Sequence, residues 1–310
     1  MITVALPTWN NKDIVWLAME GLVRQKNSPD WELLILECRS LNEAGADFFR
    51  SYWPKLQKAG CVRMKYVFCE TRMPLNQKWL KMAQEAHPES EMFLLQASDD
   101  YPHPERNEQA AKHNVGWYDC RSYYSYHIGL DKLILFDNQQ TDANKPTEWK
   151  TGFNIAIRTD LVRNIESTQI VRKGVDTWLF NNMKPKTRYV DQTLYNGLST
   201  TGLNSISDKR YKYFVDTKHP FYQTETKPEN LKIPKSILKR LYNLRPKSAI
   251  SQPRLDYTQI YVEFTKKLNG RQPGHRQYIP AHAVDYFLLR NAIRVIYHKG
   301  EPQKDFELCI

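Results

Sequence analysis

The chain has 310 residues, 41% hydrophobic and 25% charged, a balance that suits one large soluble domain or a domain with a smaller appendage. Five cysteines, at 38, 61, 69, 120 and 309, make no CxxC pair, which argues against a disulfide framework or a cysteine zinc site; free thiols in a reducing cytoplasm are expected, and no run of 18 apolar residues suits a membrane span. The formal net charge is +11, and its location is informative: Lys227 to Lys299 hold 15 Lys/Arg and 4 Asp/Glu, and subtracting these from totals of 45 and 34 leaves 30 of each sign. A neutral body with a basic C-terminal quarter points to an acidic partner such as nucleic acid, an anionic membrane surface or an acidic polymer.

In chain order, ITVALP reads as a first β-strand and not as a signal peptide. Asn11 and Asp13 offer caps for a helix over KDIVWLAMEGLVRQ, where Ile14, Leu17, Ala18 and Leu22 recur at helical spacing. NSPD is a loop and WELLILE a buried strand. A helix is expected from about Asn42 to Lys58, then strand VRMKYVF, an amphipathic helix through NQKWLKMAQEA, and strand EMFLLQA. This alternation implies βαβ units and a mostly parallel sheet, with ligands at the carboxyl ends of its strands.

The strand EMFLLQA delivers two adjacent carboxylates, Asp99 and Asp100. Like charges side by side repel, and a bound cation holds both ionised. With no Cys or His beside them, a hard ion, Mg²⁺ or Mn²⁺, shared with a phosphate-bearing substrate is the expectation. The plainer alternative is a turn or cap ahead of PHPERNEQA.

Beyond residue 115 the alternation breaks. WYDCRSYYSYHIG and LDKLILFD read as strands, WKTGFNIAIRTDLVRNI as a strand running into a helix, and KGVDTWLFNNM as a turn and helix. QTETKPENLKIPKS reads as a linker. SILKRLYNLRP and YIPAHAVDYFLLRNAIRVIYH read as basic amphipathic helices. The expected division is 1–115, 116–223 and a basic, mainly helical 224–310. No GxGxxG follows the first strand, and P-loop, GxSxG, HExxH and zinc spacings are absent.

ITVALPTWNN, WELLILECRS, MPLNQKWLKMAQEA, FLLQASDD and the pair KTGFNIAIR and KGVDTWLF occur in the order and spacing of family 2 glycosyltransferases. The chain resembles that family over about residues 1–220. The resemblance implies an α/β GT-A fold, with a nucleotide-binding half (1–115) and an acceptor-binding half (116–223), and with the basic helical region appended. It implies donor contacts from Pro7, Thr8, Trp9, Asn10, Glu37 and Asp99, with Lys78 and Arg72 on the donor phosphates. Asp100 and Asp99 would hold Mn²⁺ or Mg²⁺ against the diphosphate of a nucleotide-sugar, a UDP-sugar by default, and His219 is a late metal-ligand candidate. Cys38, Arg39 and Ala97 depart from the family pattern, the last two standing for a glycine and an aspartate.

Sugar transfer with inversion also needs a carboxylate to take a proton from the acceptor hydroxyl. Asp176 is the candidate; an N-cap role is compatible with it, and Asp119, Asp160 and Asp191 compete. Trp178 and Trp149 offer acceptor or sugar platforms, with core packing as the alternative. Lys239, Arg240, Arg245, Lys247, Lys266, Lys267, Arg271 and Arg276, interleaved with tyrosines, suit a phosphate backbone. The leading expectation is transfer to a hydroxymethylated base in DNA, as in bacteriophage DNA-modifying glycosyltransferases. Two rivals stay open: synthesis of a surface polysaccharide or lipid-linked glycan with the basic helices on an anionic membrane, and a catalytically inactive nucleic-acid-binding protein on the same scaffold.

Overall fold

The computed structural model describes residues 1–128, 132–137, 154–171, 174–201, 222–225, 233–244, 259–264, 276–280 and 293–298. The chain divides into two compact units, 1–246 and 247–310.

In the first unit, β1 (Ile2–Thr8) is central. It pairs in parallel with β2 (Trp31–Cys38) and β4 (Met92–Leu95), and β2 pairs in parallel with β3 (Cys61–Cys69). These strands are near-continuous apolar runs because both of their faces are covered. Ile2, Val4, Leu6, Leu33 and Ile35 enter one core with α1 (Trp16–Leu22), α2 (Ala46–Ser51) and α3 (Trp53–Lys58). Ala5, Leu34, Leu36 and Cys38 enter the other with α4 (Leu75–Glu85), α6 (Thr159–Arg163) and α7 (Val175–Met183). The alternation of odd and even positions is the two-residue period of a strand buried on both sides.

Pro7 sits inside β1, where the missing N–H of proline is normally costly. The carbonyl of Ala5 points at β4, accepting from Gln96 N at 2.9 Å, so position 7 points the same way. β4 pairs with β1 only as far as Ala5↔Leu95, so the absent donor falls beyond that ladder.

The sheet continues through antiparallel β8 (Ala156–Arg158) to β6 (Trp117–His127), β7 (Lys132–Asp137) and β10 (Tyr222–Glu225). β9 (Arg188–Thr201) runs parallel to β6 and also pairs with the two-residue β5 (Asp100–Tyr101). Sequence reading gave no strand for β9. Its polar residues hide the two-residue pattern, and its signal is Gly197. That glycine has φ +89°, and a Cβ on it would lie 2.0 Å from the carbonyl oxygen of Tyr101. Only glycine lets β9 approach β5 this closely.

The expected helix over residues 42–58 is two short helices, α2 and α3, broken at Tyr52 ahead of Pro54, which sits in the first turn of α3. α5 (Arg106–His113) follows β5 and ends on Asn114 in the left-handed region. α8 (Lys235–Asn243) is the first of the expected basic helices. Its Ile237 and Leu241 are buried with Trp16, Leu17 and Leu198, so it belongs to the first unit. The composition change near residue 223 therefore does not coincide with the boundary between compact units.

In the second unit, β11 (Gln259–Phe264), β12 (Arg276–Pro280) and β13 (Ile293–His298) form an antiparallel sheet in the order β12-β11-β13. The helix expected from Tyr278 to His298 is corrected at both ends, where residues 278–280 and 293–298 are strands. IRVIYH is rich in β-branched and aromatic residues, and strand preference outweighs the helical stripe there. Among the described residues no helix is long and apolar enough to cross a membrane.

Candidate active site

β4 ends at Leu95, and the chain turns through Gln96, Ala97 and Ser98 into Asp99 and Asp100 at the carboxyl end of the parallel strands. The turn is stapled from inside. Gln96 is 1% exposed, and its Nε2 donates to the carbonyls of Ala97 at 2.7 Å and Asp100 at 2.9 Å. From the neighbouring loop, the side-chain amide of Asn11 meets Ser98 Oγ at 2.5 Å. Thr200 of β9 donates its N–H (3.3 Å) and its hydroxyl (2.8 Å) to the carbonyl of Asp99.

The two carboxylates have different surroundings. Asp99 is half-buried, whereas Asp100 is buried at 7% exposure and interacts electrostatically with the fully buried Arg106. Burial lowers the Arg106 pKa to about 10, against the opposing pull of Tyr118 and Asp100. Of the two carboxylates, Asp99 is the nearer to solvent.

The turn is oxygen-rich, which fits a hard divalent cation. Among the described residues no group of three or more His, Cys, Asp and Glu could hold a metal. A cation here would take one or two carboxylates and complete its shell from phosphate and water, as Mg²⁺ commonly does.

The donor-side candidates converge at the same end of β1. Trp9 follows the strand, and the Arg72 guanidinium lies 3.7 Å from its ring centroid. Asn10 adopts φ +56°, a region asparagine tolerates, and its N–H donates to Ser40 Oγ. Lys78 is buried, and its Nζ donates to the Thr8 carbonyl at 2.7 Å. Burial lowers its pKa, and the Cys38 thiol beside it opposes that shift. Cys38 and Lys78 lie on the α4 side of the sheet.

Glu37 lies on the other face at 1% exposure. Its carboxylate accepts from the Ala44 and Gly45 N–H groups at 2.9 Å, from Tyr66 OH at 2.7 Å and from Thr8 Oγ1 at 3.2 Å. Burial, with Glu37 next, raises the Tyr66 pKa. Glu37 therefore shapes the loop 40–45 from inside, and it offers almost no surface to a nucleobase.

Asp176 lies in the first turn of α7, after Gly174 at φ +64°, and is half-buried. The segment before α7 is fastened to α4. Asn76, 0% exposed, donates to the Gln169 carbonyl at 2.6 Å and accepts from Val171 N–H at 3.2 Å, pairing with the segment as a strand would. Trp178 packs against the α4-side core and donates to Gln169 Oε1. The competing carboxylates are otherwise engaged: Asp119 pairs with Arg188 at 2.8 Å, Asp191 accepts from Tyr118 at 2.7 Å, and Asp160 pairs with Arg158.

Arg240 stacks over Trp16 at 3.9 Å, and Lys239 is exposed beside it. Arg276 lies in β12. Trp149, His219, Arg245, Lys247, Lys266, Lys267 and Arg271 lie outside the described residues. Sequence reading missed Gln96, Arg106 and Asn76. A glutamine at the end of an apolar strand, and an arginine six residues beyond the paired acids, are the signals for the first two.

No family model and no curated protein sequence matches the chain. Solved structures do. S. aureus TarS is 16% identical with a TM-score of 0.50, over 64% of this chain and 36% of that one. The structure of TarS 1–349 in complex with UDP is 16% identical with a TM-score of 0.51, over 65% and 61%. The mannosyltransferase PcManGT from Pyrobaculum calidifontis, in complex with GDP-Man and Mn²⁺, is 11% identical with a TM-score of 0.50, over 69% and 60%. The chain spans less than two thirds of the length of each of these structures. At such identities the likeness is one of fold, and the fold is the GT-A fold of glycosyltransferases.

Proposed function

We propose that this chain is a glycosyltransferase that moves a sugar from a nucleotide-sugar donor to an acceptor hydroxyl with inversion. The observation that carries the reading is the half-buried Asp99 at the mouth of the parallel strands, in a turn joined through Ser98 to the Trp9–Asn11 loop. UDP in a TarS structure, and GDP-Man with Mn²⁺ in PcManGT, support a nucleoside diphosphate leaving group and a divalent metal.

In this reading Asp99 holds Mn²⁺ or Mg²⁺, and Asp100 backs the turn. The bound ion would supply positive charge to the diphosphate oxygens. Arg72 and Lys78 add positive charge on the α4 side as the bond from the anomeric carbon to the diphosphate breaks. The acceptor oxygen forms its bond on the opposite face of that carbon, and Asp176 takes the acceptor proton.

The basic excess between Lys227 and Lys299 supports a polyanionic acceptor, and a hydroxymethylated base in DNA is the first acceptor to test. The chain should release UDP or GDP from a nucleotide-sugar in the presence of Mn²⁺, and Asp99→Asn should abolish that release. A mass gain of one sugar on hydroxymethylated but not unmodified DNA would identify the acceptor. If the chain neither binds nor consumes any nucleotide-sugar, the reading fails.

A further inference from the structure

We infer that the outer face of α3 and α8, with Arg24 just after α1, is a docking track for the phosphate backbone of duplex DNA. The track begins at Arg240, exposed on α8 and stacked 3.9 Å over Trp16 of α1. Tyr52 lies within electrostatic reach of both Arg240 and Glu20. Lys55 lies over the Tyr52 ring at 5.7 Å. From there an open cavity of about 320 Å³ is lined by Glu20, Val23, Arg24, Lys55 and Lys58.

The residues linked by these contacts include four cations, Arg240, Lys55, Arg24 and Lys58, and one acid, Glu20. Glu20 is already committed to Arg24 at 2.5 Å. Lys55 and Lys58 are exposed and have no acidic partner among the described residues. The strip thus keeps a net positive charge although the chain outside Lys227–Lys299 is neutral as a whole.

The strip starts beside α1, which follows the β1 loop, and so it leads away from the candidate active site. Exposed cations without an acidic partner meet phosphate charge and carry no base preference.

The inference rests on the polyanionic-acceptor part of the proposed function and on nothing in the donor site. The test compares the full-length wild type with K55E/K58E, using a fluorescein-labelled unmodified DNA duplex and anisotropy across a range of NaCl concentrations. K112E/K186E makes the same charge change on exposed lysines outside the strip. Wild type should bind with a salt-dependent affinity. K55E/K58E should weaken binding by about tenfold near 0.1 M salt and flatten the salt slope by about two. K112E/K186E should change both far less, and metal-dependent nucleotide-sugar hydrolysis should be the same in all three.

Equal losses in the two double variants would reduce the effect to bulk charge and overturn the inference. So would unchanged DNA affinity in K55E/K58E, or a wild type that binds anionic vesicles and not DNA. Loss of hydrolysis in the wild type, with strip-dependent DNA binding intact, would sink the transferase reading and leave the track standing.

Discussion

Nη1 of Arg106 lies 2.5 Å from Oε1 of Gln96, and this contact fixes which end of the Gln96 amide can donate. With its oxygen held by a guanidinium, the amide turns its NH₂ to the carbonyls of Ala97 and Asp100. A fully buried arginine thus holds the curl of the turn that carries Asp99. Gln96→Glu keeps the size of the side chain and its bond to Arg106 but removes both donors. Outer-shell changes of this kind weaken metal sites by about 10–100-fold. Mn²⁺ titration in the presence of UDP, followed by electron paramagnetic resonance, should show a loss of that size. Full Mn²⁺ affinity in a folded Gln96→Glu variant would disconnect the staple from the site.

Asp99 and Asp100 should respond differently to the same substitution. Asp99→Asn changes a half-buried group at the mouth, so Mn²⁺ binding and sugar release should vanish while thermal stability holds. Asp100→Asn removes negative charge near the fully buried Arg106, a loss of on the order of 1–3 kcal/mol. Denaturant unfolding and Mn²⁺ titration of both variants separate the roles. Equal effects on stability and on binding in the two variants would refute the division.

The paired acids, the parallel strands and α4 were legible because each is written locally, in an apolar run, a helical stripe or a sharp polar break. The partners that decide what these residues do were not. Glu37 is a carboxylate visible in the sequence, yet its four donors come from Thr8, Ala44, Gly45 and Tyr66, brought to it by sheet pairing and loop closure. Arg240 is visible in sequence as a charge, but its stacking on Trp16, 224 positions away, is not. β13 misled for a different reason. Its residues satisfy a helical stripe and a strand preference together, and pairing with β11 selects the strand.

Gly197 tests how tightly β9 must close on β5. An alanine there would carry its Cβ to within 2.0 Å of the Tyr101 carbonyl oxygen and 2.9 Å of the His103 nitrogen, at a backbone φ of +89°. Neither neighbour is a flexible side chain, so the strands must part. Gly197→Ala should cost more than about 3 kcal/mol, above the usual range for a point substitution. Because β5 begins at Asp100, Mn²⁺ binding should weaken in whatever fraction remains folded. A variant with unaltered unfolding midpoint would contradict the close approach.

Asn76 offers a way to disturb the acceptor side without touching the metal turn. Asn76→Ala leaves the Val171 N–H without its buried partner and the Gln169 carbonyl with only Gln77 Nε2 at 3.0 Å, a loss of about 1–3 kcal/mol. The segment it held leads to Gly174 and Asp176. In the proposed reaction kcat should fall while KM for the nucleotide-sugar stays near its wild-type value, since Lys78 and Arg72 are untouched. A rise in donor KM with kcat preserved would assign Asn76 to the donor side instead.

His127 sets an acid limit on stability. It is 5% exposed at the end of β6, and burial lowers its pKa below the ordinary histidine value. An unfolded chain then binds the proton more readily than the folded one, so stability rises with pH through this window. The contribution is fully present above the ordinary histidine pKa of about 6.5. It is lost as pH falls from there through the lowered folded value. His127→Gln removes the titration and keeps a polar side chain. Melting temperatures of wild type and variant, measured between pH 7.5 and 5 in steps of about half a unit, should converge toward low pH, because the wild type loses the larger share. Parallel curves across that range would show that His127 does not contribute to the acid limb.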